Sequence, residues 1–169
     1  MKILIEGRAR FVGDNVNTDY IISSSRKKET LDPDLLKRHL FEALDPYFAQ
    51  SIKPGDLLVA GTNFGCGSAM EIAVSVLLAA DIKAVFAKSF ARTFYRNAIN
   101  NGLVPFECDT SRVHEGDRLI VSLAEGVGLA RNETTGEKLT GNPFPTIMLD
   151  ILAAGGLVAY FKMHQDFVL

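Results

Sequence analysis

The stretch Leu57–Ala87 leaves this chain few choices of fold. Four apolar residues, Leu57–Ala60, run into Gly61-Thr62-Asn63-Phe64-Gly65-Cys66-Gly67-Ser68. Ile72, Ala73, Val76, Leu77 and Ala80 then recur at helical spacing before a second apolar run, Ala84–Ala87. Strand, glycine-rich turn, helix and strand in so short a span make a βαβ unit, whose right-handed crossover demands a parallel sheet covered by helices. The spacing predicts a helix starting at Ser68. A second helix over 90–101, stopped by Gly102, and a strand over 103–106 extend the unit to βαβαβ.

The flanks add to this core. Residues 3–5 and 9–11 read as two short strands, 13–30 as an irregular polar segment, and Asp32-Pro33 as a helix start, with Leu36, Leu40 and Leu44 at helical spacing until Asp45-Pro46. Residues 118–123 and a weaker run near Leu129 read as antiparallel additions, and 146–153 as a helix ended by Gly155 and Gly156. The expectation is a single α/β domain over 1–169, a mixed sheet with flanking helices. Its 169 residues, 47% of them hydrophobic, suit one core and leave no room for a second catalytic domain.

Charge narrows the partners. Eighteen basic and twenty acidic residues are mixed along the chain for a net charge of −2, which builds no field for nucleic acid or a membrane surface and leaves a small molecule as substrate. Residues 1–11, broken by Glu6, Arg8 and Arg10, are no signal peptide, and no apolar run approaches the ~20 residues of a spanning helix. A cytoplasmic location is expected. Cys66 and Cys108 make no disulfide framework, and with His39, His114 and His164 they form no spaced cluster, so no metal is expected on this chain.

Ser68 stands where a strand gives way to a predicted helix, a place where free backbone N–H groups and the helix dipole favour an anion. Gly65 and Gly67 allow the backbone close to a ligand. A serine there serves either as a helix cap or as a hydroxyl aimed into the pocket, and spacing alone does not choose. The nucleotide patterns fail on particular residues: a Walker loop needs lysine where Ser68 stands, and the dinucleotide fingerprint needs glycine where Met70 stands. Cys66 reads as a structural thiol. Arg26, Lys27 and Lys28 follow three serines on a polar stretch and are either solvated charges or a grip for carboxylates, and Asp19 fits an Asx turn. In Lys88-Ser89-Phe90-Ala91-Arg92-Thr93-Phe94-Tyr95-Arg96-Asn97, Phe90 and Phe94 read as core. Arg92 and Arg96 are either exposed or paired with acids at a subunit surface.

Three ordered motifs now carry a resemblance along most of the chain: Asn17-Thr18-Asp19-x-Ile21, Asn63-Phe64-Gly65-x-Gly67-Ser68-x-x-Glu71, and Lys88-Ser89-Phe90-Ala91-Arg92 with Asn97 and Gly102. Together they resemble the small subunits of 3-isopropylmalate dehydratase, which are similar to the swivelling C-terminal domain of aconitase. The resemblance implies a β/β/α swivelling domain that closes over a large partner subunit carrying a [4Fe-4S] cluster. It also implies dehydration and rehydration of a hydroxy-dicarboxylic acid, in leucine biosynthesis for the best-known members. It makes Ser68 the catalytic base toward a carbon-bound proton and Thr18 and Asp19 supports of the site, with Glu71 and Arg92 supporting from the other two motifs. Arg26 falls in a substrate-reading loop, and Gly67, Ala69 and Met70 in a substrate-binding one. Two departures bear on specificity: the family's Gly-Ser-Ser-Arg-Glu is here Gly67-Ser68-Ala69-Met70-Glu71, and its Tyr-Leu-Arg-Thr loop is here Ser25-Arg26-Lys27-Lys28. Lys27 or Lys28 is expected to supply the cation that Met70 removes, with Met70 facing an apolar substituent. A free-standing phosphate- or nucleotide-binding domain is the other reading, and citramalate, homoaconitate and dimethylmalate hydratases are alternatives within the family.

Overall fold

A computed structural model describes residues 3–124 and 127–164. Its centre is one seven-stranded mixed sheet in the order β4-β3-β2-β1-β5-β6-β7, made of β1 (Ile3–Gly13), β2 (Leu57–Ala60), β3 (Ala84–Ala87), β4 (Val104–Glu107), β5 (Arg118–Ala124), β6 (Val127–Asn132) and β7 (Lys138–Gly141). β1 joins the two kinds of sheet. Its first half, Ile3 to Arg8, pairs antiparallel with β5, and its second half, from Ala9, pairs parallel with β2. The two short strands expected over 3–5 and 9–11 are therefore one strand. Glu6, Gly7 and Arg8 do not interrupt it, because β5 supplies backbone partners to all three whatever the side chain.

Burial follows the pairing. β2 and β3 are buried at every residue, as strands covered on both faces must be, whereas β5 alternates buried with open positions. Leu57 and Val59 point into one core with Phe86, Phe106 and Tyr160. Leu58 and Ala60 point into the other with Ile21, Leu36, Phe64 and Leu77. The helices that close these faces are α1 (Thr18–Ile21), α2 (Ser24–Glu29), α3 (Pro33–Leu36), α4 (Phe48–Ser51), α5 (Ile72–Ala79), α6 (Arg92–Asn101), α7 (Thr146–Ala154) and α8 (Leu157–His164). The expected stops hold: Gly102 ends α6 at φ 85° and Gly155 ends α7 at φ 88°. Among the described residues no single helix is long and apolar enough to cross a membrane; α7 and α8 are bent 94° at the glycine pair between them.

Three expectations need correction. The 13–30 segment holds two short helices, each opened by a side-chain cap, from Asn17 and from Ser23. The helix predicted to reach Asp45 ends its regular turns at Leu36; a 3-10 turn over Lys37–His39 follows, and Phe41 takes φ 55° to bury its ring. Tertiary burial has overridden the leucine spacing. The helix predicted from Ser68 begins only at Ile72, so Ser68 is no cap.

Cys108 lies just past β4 and is 7% exposed; burial, then the charges of Asp109 and Glu107, push its thiol up to about 12. The folded state thus favours the neutral thiol. The stability this gives is complete below the unfolded thiol's pKa of ~8.5 and is lost as pH rises toward the folded value. Iodoacetamide at pH 8 is expected to modify partly exposed Cys66 and to spare Cys108 until the chain unfolds. Peptide mass spectrometry reads the two sites separately, and equal modification rates would contradict this packing.

Candidate active site

β1, β2 and β3 run parallel and end at the same edge of the sheet, where ligands of open α/β sheets are bound. The three motifs are the segments that leave these ends. They are laced together by main-chain hydrogen bonds beyond the strands, so the loops satisfy their own backbone groups. On one side Gly65 N–H donates to Val16 O at 2.8 Å and Thr18 N–H to Cys66 O at 2.8 Å. On the other, Phe64 N–H donates to Ser89 O at 3.0 Å and Ala91 N–H to Phe64 O at 2.9 Å. Phe64 is fully buried, edge-on to Phe94 at 5.0 Å between ring centroids.

Glycine is required twice in this loop. At Gly65, φ 78°, an added Cβ would overlap the Phe94 ring; at Gly67, φ 92°, it would come within 2.5 Å of Asn17 Oδ1. Asn17 is held in turn, since the same oxygen accepts the Asp19 N–H at 2.9 Å. The next residue, Ser68, is exposed, with its carbonyl accepting from the buried Thr18 hydroxyl at 3.0 Å. Its own hydroxyl makes no hydrogen bond among the described residues. The main chain at Ser68 is therefore anchored and its Oγ is presented outward.

Behind the loop lies the Asp19–Lys27 pair. Asp19 Oδ1 accepts from Ser24 Oγ at 2.6 Å and from Lys27 Nζ at 2.9 Å. The Ser24 bond first, and Lys27 second, hold this carboxyl below its ordinary value. Lys27, its side chain 12% exposed, also sets its ammonium against the Met70 thioether, two residues beyond Ser68. Met70 is partly buried against the core, Gly67 and Ala69 are exposed, and Glu71 is exposed at the start of α5. Of the two lysines, then, Lys27 is the one in contact with Met70. Lys28 is exposed and makes no ion pair among the described residues. Arg26 faces elsewhere: its Nε and Nη2 reach both Glu42 oxygens at 2.9 and 3.3 Å, and Nη1 reaches Glu29 at 3.3 Å. Arg92 opens α6 and lines a cleft beyond Phe90.

Sequence reasoning passed over several of these parts. Ser24 and Glu42 orient the expected Asp19 and Arg26, and Asp14 Oδ1 accepts the Thr62 N–H at 2.6 Å to close the loop's start. Nothing in their spacing marks them, because each acts across a turn or between elements. Among the described residues no group of three His, Cys, Asp or Glu could hold a metal, and buried Cys108 holds a neutral thiol. The donor set of this chain does not fit an iron-sulfur cluster. Its residues can bind, orient and move a proton.

The aconitase C-terminal domain matches residues 14–111. A 3-isopropylmalate dehydratase small subunit of Archaeoglobus fulgidus is 46% identical over 95% of this chain and 98% of its own length. The isopropylmalate/citramalate isomerase small subunit of Methanocaldococcus jannaschii is 46% identical over 96% of each chain. The crystal structure of a Methanocaldococcus jannaschii 3-isopropylmalate dehydratase chain superposes with a TM-score of 0.86 at 42% identity, covering 96% of both. Aconitase X of Thermococcus kodakaraensis, 15% identical with a TM-score of 0.51 over 82% of this chain and 89% of its own, shares the fold alone. By these matches and by its three interlaced motif loops, the chain belongs to the family of 3-isopropylmalate dehydratase small subunits, built on the aconitase C-terminal domain.

Proposed function

We propose that this chain is the small subunit of a cytoplasmic hydro-lyase that interconverts 2- and 3-isopropylmalate, with a large subunit supplying a [4Fe-4S] cluster. The observation that carries the reading is Ser68: an exposed hydroxyl, free of hydrogen bonds among the described residues, on a loop anchored from both sides at the ligand-binding edge of the sheet. Ser68 Oγ takes the carbon-bound proton, as general base, and returns it on rehydration. A serine oxygen needs stabilisation to act as a base. The α5 dipole acts mainly within its first turn and reaches Ser68 only weakly, and Lys27, against Met70 two residues on, is the cation this chain places beside the loop. The site is completed only when the partner's cluster is opposite.

Met70 and Lys27 set the substrate class. The thioether offers an apolar wall and the ammonium a point charge for one carboxylate, which fits a malate with a small alkyl substituent. The isopropylmalate/citramalate name of one relative extends the class to methyl-substituted malate.

Mixing the purified chain with a cluster-bearing large subunit tests this: dehydratase activity on isopropylmalate is expected only in the mixture, and none with any such partner would overturn the reading. In the same mixture Met70→Arg is expected to shift the preference among isopropylmalate, citramalate and homoaconitate. An unchanged profile would remove Met70 from substrate recognition.

A further inference from the structure

We infer that the cleft walled by Arg92 and Arg96 is a docking site for the large subunit, taking a partner segment that carries carboxylates beside an apolar side chain. This rests on the two-subunit reading above. A substrate held between Ser68 and a centre on another chain requires that chain to close over the edge where β1, β2 and β3 end. The cleft lies on that edge, next to the Ser68 loop: Phe90, which lines it, is edge-on to Phe64 of that loop at 6.0 Å, and Glu107, also in its wall, ends β4.

The cleft holds about 310 Å³, with Phe90, Phe144 and Met148 as apolar lining. Arg92 and Arg96 lie one turn apart on α6, so both guanidinium groups project from the same side of the helix. Both are exposed, and neither makes an ion pair or hydrogen bond among the described residues. That sets them apart within this chain. Arg8, Arg10, Arg26, Arg112, Arg118 and Arg131 each pair with a carboxylate, and Arg38 donates to the Leu35 carbonyl. The nearest acid in the cleft, Glu107, accepts instead from Asn142 Nδ2 at 2.8 Å. Two neighbouring arginines that pair with no acid among the described residues, around an apolar floor, are complementary to an acidic partner surface with an apolar anchor.

Calorimetric titration of the full chain with the large subunit tests the assignment. The charge reversal Arg92→Glu with Arg96→Glu is expected to raise Kd by about tenfold or more, with a flatter salt dependence. Arg131→Glu, on the antiparallel wing, is expected to leave Kd unchanged. A smaller effect of the double variant, an equal effect of Arg131→Glu, or altered self-association with partner binding intact would each overturn the inference. Should circular dichroism show the double variant unfolded, Arg96→Ala carries the test, with about threefold weaker binding as the threshold. Failure of the wild-type chain to bind the large subunit would instead remove the two-subunit reading itself.

Discussion

Ser68→Ala is expected to lower kcat of the reconstituted enzyme by about 10²–10⁴-fold, the range for losing a positioned general base, and to leave assembly and fold intact. This corresponds to roughly 3–5 kcal/mol of transition-state stabilisation. The substitution is clean because of how the loop is held. The contact that fixes position 68 is the Thr18 hydroxyl on its carbonyl, which alanine retains, and the exposed Oγ has no partner to orphan among the described residues. KM should change little if the hydroxyl acts only on the proton, since Lys27 and Met70 are untouched. Steady-state kinetics with size-exclusion chromatography of the complex decides the matter. Unchanged turnover in an intact complex would rule out the base role and return Ser68 to a loop residue without chemistry.

Asp56→Ala should destabilise the chain by about 1–3 kcal/mol, the cost of removing a buried carboxylate and leaving the donors around it short of an acceptor. Asp56 opens into the start of β2 with its side chain 4% exposed. Its Oδ2 lies 2.7 Å from Arg8 Nη2 and 3.3 Å from Arg10 Nη1, and accepts the Lys53 N–H at 2.9 Å. Arg10 is itself only 8% exposed, stacked over the Phe48 ring, and keeps Glu115 as its other acid. Burial pushes the Asp56 carboxyl up, but the Arg8 hydrogen bond and the Lys53 N–H outweigh it and hold the group below its ordinary value. A depressed folded pKa contributes stability above the unfolded value of ~3.9 and loses it as pH falls through the folded one. Wild-type Tm is therefore expected to drop below about pH 4, and Asp56→Asn to flatten that drop. Urea denaturation at pH 7 gives the larger number directly, and a loss under 1 kcal/mol would show the cluster to be dispensable.

Much of the architecture is written in local pattern. The buried runs Leu57–Ala60 and Ala84–Ala87, and the stops at Gly102 and Gly155, follow from burial on two faces and from left-handed backbone that glycine adopts without strain. The three motifs were joined into one site by the family resemblance, and each sits where a strand ends. The misreadings share a cause. Leucine spacing over 36–44 promised a continuous helix, but burying the Phe41 ring at φ 55° gains more than another helical turn. The helix was expected to start at Ser68, yet Gly67 against Asn17 and Thr18 against the Ser68 carbonyl keep the chain out of regular helix until Ile72.

The cations divide in the same way. The sequence put Arg26, Lys27 and Lys28 in one loop and left open whether Lys27 or Lys28 supplies the cation that Met70 removes. Folding chose, because α2 turns successive side chains in different directions: Arg26 meets Glu42 and Lys27 meets Asp19 and Met70. Residue types and their order thus determined the sheet, the loop and its serine. Which charge stands beside Met70, and which arginines remain without an acid, depended on contacts between segments far apart in the chain, and only the tertiary structure decides those.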